Sequence, residues 1–470
     1  MGHKTITQTA STVDASRLPL KTDVAYALIT LGSSMIWAIL SGWLLYFYLP
    51  PEGASGGAAL VPAAWYSVVI LGTRALNAGM APFIGHFSDN LRSRWGRRLP
   101  LMFVSGAPLL VFFVLLWTPP LRTESVWNLV YLGGMLVLYN LVYTVNQIPY
   151  TALLPELALT DQHRVRMSAW ASSFLLVGMI VSAAAGLLIE RFGYAVNALV
   201  YALLALPAFY LPFLVLRERP ERWATPAERG GPRRNLRAVV ASLLQNRAFV
   251  VMTAAGAFYW GLTTLVQAAI PYIVTEICLL NPGDTLWFYV PAILGSLVCY
   301  PLVTWLAGRV GKWRVFAGSL LASALAMPGL LLIGDWLPLP LMAQGILWVT
   351  IQSVALSGVT MLPMAFGAEI ADHDAALTGQ RREGLYYATW GLLDQVANGV
   401  VAALLPLLLL LGRSRSDPHG PLGVRLIGVV GGLAMLAAFF IFLRYPFRGK
   451  GNHESSRIHT NVKSSFHEDS

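Results

Sequence analysis

The sequence predicts an all-α membrane protein with twelve transmembrane helices in two pseudo-symmetric six-helix bundles. Three observations predict it. The 470 residues are 56% hydrophobic and only 12% charged, with a mean hydropathy of +0.60, whereas soluble chains carry charge on about a quarter of their residues. Apolar runs of the length that crosses a bilayer, about 20 residues, recur along the whole chain. They fall near 24–49, 60–88, 99–118, 128–154, 167–188, 193–216, 248–275, 286–308, 315–334, 338–366, 383–412 and 423–444. The joins between them alternate in charge: with the N-terminus inside, 27 of the 33 Lys and Arg fall on the inner side. That asymmetry places both termini in the cytoplasm. It also reads the net charge of +10 as membrane orientation, with no nucleic-acid partner.

The organisation follows in order. Residues 1–22 form a polar cytoplasmic arm without the apolar region and small-residue cleavage site of a signal peptide. Residues 23–216 hold the first six spans and 248–445 the second six. Between them, 217–247 is a charged cytoplasmic linker with room for a short amphipathic helix on the membrane surface. The tail, 446–470, is rich in Ser, His and charge and reads as disordered. Its His453, His459 and His467 lack ligand spacing, and Cys278 and Cys299 have no CxxC or Cys/His pattern, so neither a metal site nor a disulfide framework is expected. No Gly-rich phosphate loop, HExxH or nucleophile elbow occurs in a plausible context. The expectation is a non-enzymatic multi-pass protein of a bacterial inner membrane, a monomer with no cofactor, whose partners are the bilayer and a small-molecule solute.

The two halves read as copies. Pro82-Phe-Ile-Gly-His-Phe-Ser-Asp89, leading into Arg92-Ser-Arg94-Trp95-Gly96-Arg97-Arg98, matches Pro301-Leu-Val-Thr-Trp-Leu-Ala-Gly308, leading into Arg309-Val-Gly311-Lys312-Trp-Arg314. Pro149…Glu156 matches Pro363…Glu369 at the ends of spans four and ten. Six-helix halves related by an axis along the membrane normal are a known transporter plan.

Gly85-x-x-x-Asp89 followed by Arg-Ser-Arg-Trp-Gly-Arg-Arg resembles the loop 2–3 signature of the major facilitator superfamily. In its Arg-Ser-Arg-Trp-Gly form it is similar to the glycoside–pentoside–hexuronide:cation symporter family of melibiose-type carriers. Gln147-Ile-Pro149-Tyr150-Thr-Ala-Leu-Leu-Pro155-Glu156, with Asp161 and Arg164 after it, and Thr378-Gly-Gln-Arg381-Arg-Glu383-Gly384-Leu-Tyr386-Tyr387 fit the same family. The resemblance implies a cation-coupled carrier, but the chain departs from the family's ion site. Where sodium-coupled members carry Asp, three residues, then Asp-Pro on the second helix, this chain has Asn77 and Ala81-Pro82. The fourth-helix Asp is Gln147, the eleventh-helix Lys is Gln395 after Asp394, and the first-helix sugar-binding Asp corresponds to Ser34; Arg74 is retained. Amides offer oxygens without charge, so a family-type sodium site is not expected.

The ionisable groups left at membrane depth are Arg74 and Asp394. They are expected to pair across the halves, with Asp394 either carrying a coupling proton or forming a permanent salt bridge. His86, near the inner end of span two, reads as an interfacial residue rather than a proton relay. Asp89, Glu156 and Glu369 are expected to form a cytoplasmic gate with Arg92, Arg94, Arg97, Arg164 and Arg381, closing the inner side until alternating access opens it. The solute site is expected near the midplane, among Ser34, Trp37, Asn77, Tyr143, Asn146, Gln147, Tyr150, Trp260, Gln267, Tyr387 and Trp390, with Asp394 beside them. Aromatic faces and amides suit a sugar ring. The leading expectation is a sugar or glycoside transporter, proton-driven through Asp394 or a uniporter. The alternatives are a lysolipid or amphiphile carrier and a receptor or assembly factor that no longer transports.

Overall fold

The first half of the chain folds as α1 (Leu20–Tyr48), α2 (Ala63–Asn90), α3 (Leu99–Leu115), α4 (Val126–Leu157), α5 (Asp161–Ala183), α6 (Ala185–Phe192) and α7 (Tyr194–Tyr210). The second folds as α8 (Arg247–Tyr272), α9 (Leu286–Val310), α10 (Lys312–Ala326), α11 (Leu341–Met361), α12 (Pro363–Thr378), α13 (Glu383–Leu409) and α14 (Leu422–Phe442). The computed structural model describes residues 20–51, 58–91, 93, 96–158, 160–218, 244–378, 383–411 and 422–447. Arg92, Arg94 and Arg381 lie outside the described residues, as do the side chains of His86, Asp89, Tyr387 and Asp394. Most of the 217–247 linker, the arm and the tail lie outside them too.

These helices make twelve passes, because α5 with α6 and α11 with α12 are each one interrupted span. Among the described residues, ten stretches are long and apolar enough to cross a membrane; Leu99–Leu115 and the apolar part of α13, Ala397–Leu409, are shorter. The tenth pass departs from its predicted end: helix resumes at Pro363 and runs to Thr378, past the expected 366. Glu369, Asp372 and Asp374 end the apolar run without ending the helix, which continues beyond the membrane-length stretch.

Both halves use the same packing. In the first, α1 packs on α5 and α7, α4 on α2 and α3, and α3 on α7. The equivalent contacts in the second are α8 on α13 and α14, α11 on α9 and α10, and α10 on α14. The repeat extends to the loops: Gly96 (φ 116°) precedes α3, and Gly311 (φ 93°) precedes α10. Both turns use the left-handed region open to glycine. Within each half small residues let backbones approach, as membrane helices require: Gly178 of α5 lies against Ser34 and the Leu31 carbonyl of α1, and Gly428 of α14 against the Met327 carbonyl.

The start of α1, the end of α4 and the turns before α3 and α10 share one end of the bundle, here the basic end; the other is the far end. The halves meet where α2 runs along α13, α1 along α8, and α5 and α6 touch α9 and the turn at Pro282–Thr285.

Candidate solute-binding site

Residues spaced four, three and four along α1 share one face: Tyr26, Thr30, Ser33 and Trp37. That face meets the matching stripe Tyr150, Gln147, Tyr143 and Tyr139 of α4. Tyr26 stacks on Tyr150 with centroids 4.4 Å apart, and the Thr30 and Tyr150 hydroxyls are hydrogen-bonded. Gln147 Nε2 donates to Ser33 Oγ at 2.7 Å. One turn nearer the far end, Trp37 is 38% exposed, and Tyr143 stacks with Tyr139 at 5.9 Å. The two helices therefore present a band with an amide, a hydroxyl and two aromatic faces.

A second polar row runs down the α2–α13 seam. Ser67 Oγ donates to the Ala403 carbonyl at 2.6 Å. Arg74 packs its stem so closely on Gly399 that a Cβ there would lie 3.1 Å from Arg74 Cβ. Asn77 Nδ2 donates to Gln395 Oε1 at 3.5 Å, while Thr144 Oγ1 of α4 donates to Asn77 Oδ1 at 2.6 Å. As α2 descends toward the basic end, its partners on α13 go from 403 to 399 to 395. The backbone of Asp394 thus lies more than a helical turn below the level of Arg74, and the side chain of Asp394 is outside the described residues. The phenols of Tyr139, Tyr143 and Tyr66 lie near Arg74.

In the second half, Thr264 Oγ1 of α8 donates to Asn398 Oδ1 of α13 at 2.6 Å. Trp390 lies over Gly256, where a Cβ would come within 3.3 Å of its Nε1. Trp260 and the side chain of Gln267 are half-buried, and the Gln267 carbonyl accepts from the Tyr289 hydroxyl at 3.3 Å.

Three expected solute contacts are placed in helix packing instead. Ser34 bonds to the Leu31 carbonyl and fills the space over Gly178; its neighbour Ser33, one residue round the helix, is the one that reaches Gln147. Asn146 is 1% exposed and donates to Ser105 Oγ (3.0 Å) and the Met102 carbonyl (3.2 Å) of α3. Tyr150, 7% exposed, is held by Tyr26 and Thr30. Thr264 and Asn398 were not among the expected residues. Their i, i+4 neighbours give no hint that the two side chains meet across 134 positions.

Among the described residues the charged pairs of the basic end lie within each half, and one of them, Glu156 with Arg97, is an expected gate pair. Arg97 and Arg98 both pair with Glu156 of α4, Arg98 Nη2 at 3.0 Å. Burial raises the Glu156 pKa from its usual 4.5, more than Arg98 and Arg97 lower it. In the second half Glu369 pairs with Lys312 at 2.8 Å. The expected partners Arg92, Arg94 and Arg381 are outside the described residues, and Arg164 is exposed. Two further clusters were not among the expected pairs. Asp23, fully buried, holds His163 Nε2 at 2.7 Å and Arg166 Nε at 2.6 Å, tying α1 to α5. The Glu218 carboxylate accepts the backbone N–H groups of Arg97, Arg98 and Leu99 at 2.6–2.7 Å, capping α3.

The family model for MFS/sugar transport proteins matches residues 25–448. The chain is 25% identical to the isoprimeverose transporter of Lactiplantibacillus pentosus, over 86% of this chain and 83% of that one. It is 25% identical to the glucuronide carrier protein homolog of Escherichia coli (strain K12), over 92% and 94%. Among solved structures, a peptide transporter POT crystallised with alafosfalin superposes with a TM-score of 0.63 at 14% identity, covering 92% of this chain and 95% of that one. That likeness concerns the fold alone.

Proposed function

The chain belongs to the MFS/sugar transport protein family and is a membrane transporter rather than an enzyme; from that premise we propose that it carries a sugar or glycoside by alternating access and is not coupled to sodium through the family's usual positions. The observation that carries this reading is the state of those positions. Asn77 is engaged by Thr144 and Gln395, and Gln147 by Ser33. These neutral amides offer sodium no charge, and the Asn77 oxygen is already taken by the Thr144 hydroxyl. They suit instead the exchange of one hydroxyl partner for another as a sugar enters. Trp37 and Tyr143 supply faces for the C–H side of a ring, at the level of the amides.

In this reading the basic end faces the cytoplasm, with both termini there, and the spans divide as 23–216 and 248–445 around the linker. The solute site comprises Trp37, Asn77, Tyr143, Gln147, Trp260, Gln267, Tyr387 and Trp390, to which Ser33, Thr264 and Asn398 are added. Asp394 remains the candidate for a coupling proton. Counterflow in proteoliposomes with a panel of sugars and glycosides, with and without sodium and a pH gradient, tests the proposal. Sodium-independent exchange of at least one glycoside is expected; a strict sodium requirement would overturn the ion reading, and no exchange of any sugar would overturn the substrate class. Asp394→Asn with unchanged pH dependence would remove the proton role.

A further inference from the structure

We propose that the groove between the start of α3 and the end of α7 binds one anionic phospholipid of the leaflet at the basic end. An acyl chain lies in the groove, and the headgroup phosphate is held by Arg217. The proposal goes beyond the solute reading and does not depend on which solute is carried.

The groove comes from the way α7 ends. Pro212 has no N–H for the Ala208 carbonyl, so the helix stops at Tyr210 and tightens into a 3₁₀ turn over Leu211–Leu214. The Val215 and Leu216 N–H groups both bond back to the Pro212 carbonyl, at 3.0 and 2.8 Å. Opposite this turn stand Leu99 and Phe103 of α3, and between them lies a recess of about 720 Å³ whose walls include Pro207, Tyr210, Leu214 and Leu216. The Tyr210 hydroxyl is taken up, since it donates to the Phe103 carbonyl at 3.2 Å. Phe103 meets the Tyr210 ring edge-on with centroids 5.2 Å apart, and a Cβ at Gly106 would come within 3.2 Å of that ring. The floor is therefore built in advance, and the volume falls within the range of about 300–1,000 Å³ usual for ligand pockets.

What fills the recess follows from its place. α3 packs on α4 and α7, and α7 on α1, all in the first half, so the groove is set apart from the seam between the halves. Leu206 is 41% and Leu214 77% exposed at the end of a membrane-spanning stretch. A lipid chain is the apolar occupant that a bilayer supplies there.

The mouth selects the headgroup. Leu216, 2% exposed, lines the groove, and two residues on Glu218 is held by the N–H groups of Arg97, Arg98 and Leu99. Arg217 is fixed between these two points and is exposed where α3 begins. Its stem can follow the apolar rim while the guanidinium stays among the headgroups. The other charges of this corner are engaged: Arg97 and Arg98 hold Glu156, and Glu218 occupies the start of α3, which leaves no amides there for a phosphate. Among the described residues of this corner, Arg217 is the cation left for a phosphate, and its fork suits two phosphate oxygens. Basic residues at a membrane face draw anionic lipids in the same way.

The test is native mass spectrometry of the delipidated full chain in detergent, titrated with dioleoyl phosphatidylglycerol or dioleoyl phosphatidylcholine, which share chains and differ in headgroup charge. One phosphatidylglycerol is expected to bind about five-fold more tightly than phosphatidylcholine, the worth of one arginine at an anionic surface. Arg217→Gln is expected to abolish that ratio with phosphatidylcholine binding unchanged, and Arg217→Lys to keep most of it. Leu214→Trp, which fills the groove, should weaken both lipids alike. Arg309→Gln, at an exposed arginine of α9 in the second half, should leave the ratio as it is. Equal binding of the two lipids by the wild type, or a ratio that survives Arg217→Gln, would overturn the proposal. So would lipid binding that is unaltered by Leu214→Trp. A loss of dimers in that variant would then assign the groove to a second copy of the chain, and a shielded thiol in lipid-free Leu214→Cys would assign it to the linker after Glu218. Arg217 and Leu214 are both exposed, so the thermal midpoints of their variants are expected to match the wild type. No solute enters the assay, and its failure would leave the sugar-transport reading standing.

Discussion

The two ends of this transporter are built from different interactions. Among the described residues the ion pairs of the basic end are local to one half: Glu156 with Arg97 and Arg98, Asp23 with His163 and Arg166, Glu369 with Lys312. At the far end the connections are neutral or single hydrogen bonds and they cross between halves. Tyr46 donates to Thr275 Oγ1 (3.2 Å), Tyr272 to the Leu49 carbonyl (2.8 Å), and the Gly283 N–H to Glu190 (2.9 Å). The difference has a physical sense. Buried ion pairs are strongly destabilised when one partner is withdrawn, so they serve to keep each bundle rigid. A surface that must part and rejoin in every cycle is better made of contacts worth about 1 kcal/mol each. With the far end sealed across the halves, the described cross-half contacts define a conformer closed on that side.

The largest effect should come from the ionic end. Asp23→Ala leaves His163 and Arg166 facing a buried gap, and a cost of about 3 kcal/mol is expected for breaking such a pair. The expected readout is a lower thermal midpoint in detergent, with turnover per folded molecule unchanged. If turnover falls while the midpoint holds, the cluster belongs to the moving machinery and the contrast between the ends is wrong.

Next comes the far-end packing. Gly186 of α6 fits so tightly against the turn at Pro282–Thr285 that a Cβ would overlap the Pro282 carbonyl and the Thr285 hydroxyl. Gly186→Leu should therefore disfavour the far-end-closed state by about 1–3 kcal/mol, roughly a ten- to hundred-fold change in its population. Counterflow should slow, and a cysteine placed at the far end of the seam should label faster with an impermeant thiol reagent. Unchanged labelling would mean that this contact does not set the conformational balance.

The spans, the halves and the transporter family were legible because hydropathy, loop charge and the Arg-Ser-Arg-Trp-Gly stretch are local signals. Site geometry was legible only in part. Ser33 and Ser34 are adjacent and both polar, and only the direction of α4 decides that Ser33 meets Gln147 while Ser34 faces Gly178. Asp23 and His163 are separated by 140 residues, and no periodicity links them. The basic loops pointed to a cytoplasmic gate without its pairings, because sequence shows which charges are available and not which helix end each one reaches. Glu369 was singled out, yet its partner is Lys312, at the position equivalent to the arginines that hold Glu156.

Two smaller changes refine the comparison. Glu156→Gln removes a charge that burial disfavours while keeping an acceptor for Arg97, so its effect at neutral pH should stay within about 1.5 kcal/mol. The pKa of Glu156 is raised from 4.5, chiefly by burial, so the folded state takes up its proton before the unfolded chain does. Its contribution therefore grows as pH falls through the raised pKa and levels off below about 4.5. The thermal midpoint of the wild type should rise relative to that of Glu156→Gln between pH 7 and that limit; a relative fall on acidification would show the arginines outweighing burial. The smallest effect is expected of Tyr46→Phe, which removes one hydroxyl bond to Thr275 and leaves the ring edge-to-face with Tyr272 at 5.0 Å. A loss of about 1 kcal/mol from the closed far end should raise thiol labelling there a few-fold without lowering the thermal midpoint. A fall in the midpoint with labelling unaltered would make this bond part of the scaffold, and the seam would then resemble the basic end more than it differs from it.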